Sequence, residues 1–339
     1  MNEFRYQPLH DVWTIVAPNR VRKPRPKESL EASMPQNDPF IAGNETKTPN
    51  EIYSIREDPS IIASWQTRVF ANKFPLLALE TPPTRTANGV YASVGGFGAH
   101  EMVIDHPKPD KHICSFSIDR CVNLMRTFRD RITSLQQDDR IASVLAFKNE
   151  GIRAGNSIAH TNSQILGMPF VAPTLQTQVA SSRSYYKEHE RCLLCDQIAY
   201  EEERALGVLF RNRHFIAFAP FAPRFEFEVW IAPLAHSSSF ITLSKDALYD
   251  LGETMSWALK RIGVALGMPD LSLILFTQPP IRSHKDAGYF HHLDRFFHWH
   301  VEIVPRITSA QGYELSCGAF VCPIAPEEYA DYLREINIK

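Results

Sequence analysis

Cysteine is scarce in this chain: 6 among 339 residues, too few for a disulfide framework. Charge of one sign is scarce too. Lys and Arg number 36 against 38 Asp and Glu, a formal net charge of −2, so no surplus positive field exists to hold a long polyanion. Nucleic acid is not an expected partner. The longest apolar run, near Phe215 to Pro223, is far below the roughly 18 residues that span a bilayer, and no signal-peptide pattern opens the chain. A membrane partner is not expected, and the setting is read as cytoplasmic. What remains is 44% hydrophobic and 22% charged, enough apolar side chain for one large core or two linked ones.

The pattern along the chain repeats. A short strand at Val12 to Val16, with Trp13 and Ile15 on one face, precedes a Pro/Lys/Arg-rich loop at Val21 to Lys27. Strand-like runs follow at Arg68 to Phe74 and His100 to Asp105. Ser117 to Leu135 carries Val122, Met125, Phe128, Ile132 and Leu135 at helical spacing. Then come a strand at Ala142 to Phe147, a polar loop Asn149 to Ser157, and a strand Ile158 to Met168. The second half repeats the order: strands at Val208 to Phe218 and Glu226 to Ile231, then a helix opened by Ser244 and closed by Gly267. Strands at Leu271 to Phe276 and Phe296 to Val304 complete it, and Pro326 to Ile336 reads as a terminal helix. The expected fold is α+β and duplicated, with halves at 1–175 and 176–339.

Each half ends in a strand with spaced polar groups, His160, Asn162 and Gln164 in one and His298, His300 and Glu302 in the other. Alternation puts each trio on one face, where burial is costly without a metal, a ligand or mutual pairing. Paired core histidines are the plain alternative. Cys192 and Cys195 have the spacing for two thiolates on one zinc; His236 and His298 are the candidates for the remaining ligands. Two reduced thiols in a turn would read the same. The loop Ala154, Gly155, Asn156, Ser157 can offer backbone N–H groups and a hydroxyl to phosphate oxygens.

Taken together, Gly95-Gly-Phe-Gly-Ala-His100-Glu, Phe147-Lys-Asn-Glu-Gly151, Ala154-Gly-Asn-Ser-Ile-Ala-His160-Thr-Asn-Ser-Gln164, Arg191-Cys-Leu-Leu-Cys195 and Phe297-His-Trp-His-Val-Glu-Ile-Val-Pro-Arg306 resemble the galactose-1-phosphate uridylyltransferase family of the histidine-triad superfamily. Its plant ADP-glucose phosphorylase-like branch is similar too. The resemblance covers nearly the whole chain in order. It implies two fused histidine-triad-like halves of largely antiparallel sheet with helices packed against it, usually in a homodimer. It also implies a nucleotide or nucleotide sugar, together with a phosphate-bearing small molecule, as partners. In that family a histidine attacks the α-phosphorus and holds the nucleotide as a phosphoramidate until a second acceptor collects it.

The matching position here is Asn162, whose delocalised amide nitrogen is not a nucleophile. The resemblance places Ser157 and Gln164 at the α-phosphate, Asn72 and Asn149 at the nucleoside and phosphates, and Arg68 and Arg22 as further phosphate partners. His160, two residues from Asn162, is a candidate base or replacement nucleophile. The family's first metal site matches Asp38-Pro-Phe-Ile41, His100 and His160, without its cysteines. One structural zinc is therefore expected at Cys192, Cys195, His236 and His298, and none in the first half. The expected activity is transfer or cleavage at a nucleotide phosphate without the usual covalent intermediate. A catalytically inactive nucleotide-binding protein is the alternative, and chemistry moved to His300 ranks last.

Overall fold

The computed structural model describes residues 2–8, 12–16, 38–109, 111–280 and 290–338. The expectations at Val21 to Lys27, at Arg22 and for the side chains of Trp13 and Ile15 lie outside the described residues. Strands β1 (Glu3–Gln7), β2 (Val12–Val16), β5 (Arg85–Asn88) and β6 (Tyr91–Gly95) form a small sheet in the order β2, β1, β6, β5. Ten others form one continuous sheet. They are β3 (Glu51–Arg56), β4 (Trp65–Ala71), β7 (Ala99–Ile104), β8 (Ser143–Glu150), β9 (Asn162–Met168), β10 (Val208–Arg211), β11 (Phe215–Phe218), β12 (Val229–Pro233), β13 (Leu271–Phe276) and β14 (His300–Pro305).

Their spatial order is β10, β11, β12, β14, β13, β8, β9, β7, β4, β3, with every pairing antiparallel. Read from the centre outward, β8, β9, β7, β4, β3 on one side mirror β13, β14, β12, β11, β10 on the other. The two five-stranded halves join where Asn149 faces Ser272 and Lys148 faces Leu273.

Helix α1 (Ile118–Leu135) and helix α4 (Lys245–Leu266) are the matching helices of the two halves. Each starts at a serine whose hydroxyl accepts a backbone N–H, Ser117 from Arg120 and Ser244 from Ala247. Gly267, at φ 67°, ends α4 in the left-handed conformation that a helix C-terminus favours. Both helices pack on one face of the large sheet in a single core that includes Val69, Val103, Ile165, Leu273, Val301 and Ile303. That core runs through both halves.

The register puts Phe70, Met102, Asn162 and Gln164 on the opposite face, together with Trp230, His300 and Glu302. Helix α2 (Pro173–His189), helix α3 (Leu193–Arg204) and the short α5 (Leu293–Phe296) belong to the apolar clusters of this second face. Helices α6 (Gly312–Cys317) and α7 (Pro326–Glu335) complete the chain. Among the described residues no helix is long and apolar enough to cross a membrane.

The structure refines several expectations. Val208 to Phe218 is a hairpin of two strands, with Asn212 accepting N–H bonds from His214 and Phe215 at the turn. Strands β9 and β14 begin at Asn162 and His300, so His160 and His298 stand just before the ladders. Cys192 and Cys195 lie at the first turn of α3 rather than in a free turn. The expected boundary at residues 175 and 176 falls inside α2.

Candidate functional site

Asn162 is buried at the start of β9, and its amide nitrogen donates to the main-chain oxygen of His160 over 2.8 Å. The same nitrogen reaches Asn156 Oδ1 at 3.4 Å. With both amide protons directed inward, Asn162 presents Oδ1, an acceptor, and that atom meets no donor among the described residues. The mirror position behaves alike: His300 Nδ1 donates to the His298 carbonyl over 3.2 Å. Asn162 Nδ2 and His300 Nδ1 thus make the same bond to the carbonyl two residues back.

Gln164, two residues on and on the same face, accepts from His100. Leu76 N–H donates to His100 Nδ1, so His100 carries its proton on Nε2 and gives it to Gln164 Oε1 over 2.9 Å. The Gln164 amide NH₂ is the group left to face an anion. Asn72 accepts from Phe74 N–H in a local turn and brings Nδ2 within 3.2 Å of His100 Nε2. Asn149 is half-buried on β8 and faces Ser272 in the ladder.

Three placements differ from expectation. His100 joins Gln164 and Asn72, not Asp38 and His160, because its strand position aims it at the Gln164 face. Both nitrogens of His160 have partners inside the protein, Nδ1 with Asp38 at 2.6 Å and Nε2 with the His106 carbonyl at 2.7 Å. Arg68 is 4% exposed and bound to Glu51 at 3.1 Å and Thr48 at 2.7 Å, so its charge is already matched inside the protein.

The loop before β9 is also largely self-satisfied. Arg153 N–H donates to Asp270, Gly155 N–H to the Ile152 carbonyl, Asn156 N–H to the Gly151 carbonyl and Ile158 N–H to Asn156 Oδ1. Gly151 is required there: its φ is 80°, and an added Cβ would lie 1.9 Å from Asp270 Oδ1. Ser157, at the end of this loop, is exposed.

Beneath this strand lies a charge cluster absent from the sequence expectations. Lys148 is fully buried, 2.9 Å from Asp105 and 3.0 Å from Glu150, and it donates to Thr161 Oγ1 and to the Asn162 carbonyl. Burial pushes the Asp105 carboxyl up. Burial is the largest influence on Glu150 too, but the charges of Lys148 and His112 and the hydrogen bonds from Lys148 and the Ile113 N–H together hold the carboxyl below its usual range. The only sequence sign was a lysine at an inward position of an apolar strand. The His106 carbonyl and the Asn156 side chain also take part without a role expected from sequence. Asn156 sits inside the quoted motif, while His106 falls in an aperiodic segment after β7.

In the second half, one ligand atom from each of Cys192, Cys195, His236 and His298 lies within 4.8 Å of the others. Cys195 Sγ is 3.3 Å from both His236 Nδ1 and His298 Nδ1, and Cys192 Sγ is 4.0 Å from His298 Nδ1. These separations suit ligands on one tetrahedral ion with bonds of about 2.0–2.3 Å. His236 donates Nε2–H to the Asp294 carbonyl over 2.8 Å, which turns its Nδ1 lone pair toward the sulfurs. A hydrogen bond from Cys195 pushes the Cys192 thiol down to about 2, and the resulting thiolate pushes Cys195 up. This donor set fits a metal ion. His300 does not join it, being stacked between Trp230 and Phe276 with both ring centroids 5.2 Å away.

A duplicated antiparallel sheet, with a Cys2His2 cluster beside the motif strand of one half and Asn162 and Gln164 on the motif strand of the other, defines a protein of the uridylyltransferase fold. The sequence profile described as galactose-1-phosphate uridyl transferase, N-terminal domain, matches residues 1–172. The chain belongs to the galactose-1-phosphate uridylyltransferase family. It is 30% identical over 346 residues to the ADP-glucose phosphorylase of Arabidopsis thaliana, covering 99% of this chain and 93% of that protein. It is 25% identical over 347 residues to the galactose-1-phosphate uridylyltransferase of Thermotoga maritima, covering 100% of each. A crystal structure of an Arabidopsis thaliana ADP-glucose phosphorylase with bound ADP-glucose superposes with a TM-score of 0.76 at 27% identity, covering 100% of both chains.

Proposed function

We propose that this protein is an enzyme that transfers or cleaves at the α-phosphorus of a nucleotide sugar in a single displacement, without a nucleotidyl-enzyme intermediate. An acceptor oxygen, from phosphate, water or a sugar hydroxyl, bonds to the α-phosphorus, and any proton it carries passes to the departing sugar 1-phosphate or to solvent. The bond from that phosphorus to the bridging oxygen breaks, and sugar 1-phosphate leaves with the electron pair. Asn162 Oδ1 orients an acceptor O–H, while the Gln164 amide and Ser157 hold phosphate oxygens. Asn72 and Asn149 flank the nucleoside. The observation that carries this reading is the inward commitment of both Asn162 amide protons, which leaves an acceptor in place of a nucleophile.

The halves 1–175 and 176–339 divide the work in this proposal. The first holds the nucleotide, and the second holds one structural zinc through Cys192, Cys195, His236 and His298. That ion would tie the start of α3 to His298, two residues before β14. A homodimer is part of the reading, supported by Tyr313, Leu315, Phe320 and Val321, large apolar residues exposed close together in sequence.

The stereochemical course tests the mechanism. With nucleotide sugar made chiral at the α-phosphorus by sulfur substitution, one displacement inverts configuration and two retain it. Retention, with acid-labile label on the protein, would overturn the single-displacement reading. Binding without turnover to any acceptor would favour an inactive nucleotide-binding protein, a reading supported by the prior commitment of His160 and Arg68 to internal partners.

A further inference from the structure

The pseudo-two-fold of the large sheet matches Asp38, Ile41, His106 and His160 to Cys192, Cys195, His236 and His298. Residues 38 and 41 have the spacing of 192 and 195. His106 follows β7 as His236 follows β12, and His160 precedes Asn162 by two residues as His298 precedes His300. The first-half set does not fit a metal ion. Ile41 offers no ligand atom, His106 Nδ1 accepts from Lys108 N–H at 2.9 Å, and both His160 nitrogens are bound.

We infer that the Asp38–His160 pair stands in for a metal centre in the first half and that Asp38 is a positioning residue for Asn162. The His106 carbonyl can only accept, so His160 Nε2 carries a proton. The 2.6 Å approach of Nδ1 to Asp38 Oδ2 requires a second proton between them. One proton is thus shared between His160 Nδ1 and Asp38 Oδ2 inside the protein, with Asp38 7% and His160 1% exposed. Asp38 is itself held, since its Oδ1 accepts from Phe40 N–H at 2.9 Å and its carbonyl accepts from Asn44 Nδ2 at 2.7 Å. The Phe40 ring meets His160 edge-on and stacks on Phe70, pinning the segment to β4. From Asp38 the contact runs through the His160 ring to the His160 carbonyl, which accepts from Asn162. A complete buried pair fixes geometry, whereas a broken one leaves an unmatched charge. The link to function rests on the proposed place of Asn162 at the reacting phosphorus; the pair itself does not.

Three measurements test the inference. Elemental analysis should find about one more zinc per chain in the double variant Asp38→Cys/Ile41→Cys than in the wild-type protein, because the change completes a four-ligand set. A variant with wild-type circular dichroism and no added zinc would overturn the equivalence. A wild-type count of zero with a count of one in the variant would instead reject zinc in the second half and leave this inference standing. Proton NMR should show a far-downfield proton in the short His160 Nδ1–Asp38 hydrogen bond of the wild-type protein and none in Asp38→Asn; its absence from the wild-type protein would overturn the pairing. Asp38→Asn should weaken ADP-glucose binding by roughly 10-fold, as loss of a supporting contact does. Zinc-loaded Asp38→Cys/Ile41→Cys should restore that affinity and make it chelator-sensitive. Unchanged affinity in Asp38→Asn would end the positioning role. Failure of the wild-type protein to bind ADP-glucose would count against the proposed substrate class, with the zinc count and the NMR still deciding the inference.

Discussion

Asn162 donates its side-chain amide to the main-chain carbonyl of His160 across 2.8 Å, an arrangement repeated by His300 on His298 at 3.2 Å. An imidazole at position 162 can make the same bond through Nδ1–H, and its Nε2 would then reach toward the pocket. Asn162→His is accordingly expected to accumulate an acid-labile nucleotidyl label at residue 162 when given radiolabelled nucleotide sugar. Asn162→Ala, which removes the acceptor, should lose on the order of 10²-fold in turnover. An unlabelled, folded histidine variant that still binds nucleotide would show that the phosphorus does not sit opposite this side chain.

The Cys2His2 cluster makes a prediction about composition and stability together. Purified protein should carry about one zinc per chain, and Cys192→Ala should lose it, since a structural site needs all four ligands. Without the ion the start of α3 is released from His298. The stability loss should be on the order of 3 kcal/mol, read from urea unfolding with and without chelator. Metal-free wild-type protein with unchanged unfolding in chelator would refute the assignment.

Much of this architecture was legible because its carriers are regular. The Ser117 and Ser244 caps and the helical spacing behind them mark α1 and α4, and the apolar run Leu271 to Phe276 marks a central strand. Helix α2 escaped notice for the opposite reason. Only Leu175 and Val179 are buried along its length, so it shows little of the apolar stripe by which a helix is read. The Cys192, Cys195, His236 and His298 cluster was readable from residue type and order. The fate of Arg68 was not: an arginine near a ligand motif looks like a phosphate partner until Glu51 and Thr48, brought in by the neighbouring strand and the turn before it, take its charge. His106 and Lys148 likewise depend on partners distant in sequence.

Lys148 supplies a prediction with a definite pH sign. Lys148→Met would leave Asp105 and Glu150 buried without their cation and should cost about 3–5 kcal/mol near neutral pH. In the wild-type protein Glu150 is held below its ordinary value of 4.5, so its contribution is present above that pH and is lost as pH falls through the lowered value. In the variant both carboxyls should rise and become neutral sooner. The stability gap between the two proteins should therefore shrink as pH is lowered from about 7 toward about 4, measured by urea unfolding at each pH. A gap that stays constant would mean that Lys148 contributes packing rather than charge.

His300 is the last candidate for chemistry, and its surroundings argue for structure. Its ring lies between Trp230 and Phe276, Nδ1 donates to the His298 carbonyl, and Nε2 faces Glu302 at 3.4 Å. Glu302 is held below the usual carboxylate range despite its burial, first by His300 and then by Arg224, which also binds Glu228 at 2.8 Å. An anionic phosphate brought to this face would meet two carboxylates and an aromatic stack rather than free donors. His300→Ala should open a cavity between the two rings and cost about 2–4 kcal/mol of stability. Turnover per folded molecule should stay within about 2-fold of the wild-type protein, since a structural change acts through the folded fraction. Stability comes from urea unfolding, and activity is normalised to folded protein. Loss of turnover with unfolding unchanged would move the chemistry to the second half and remove Asn162 from its proposed role.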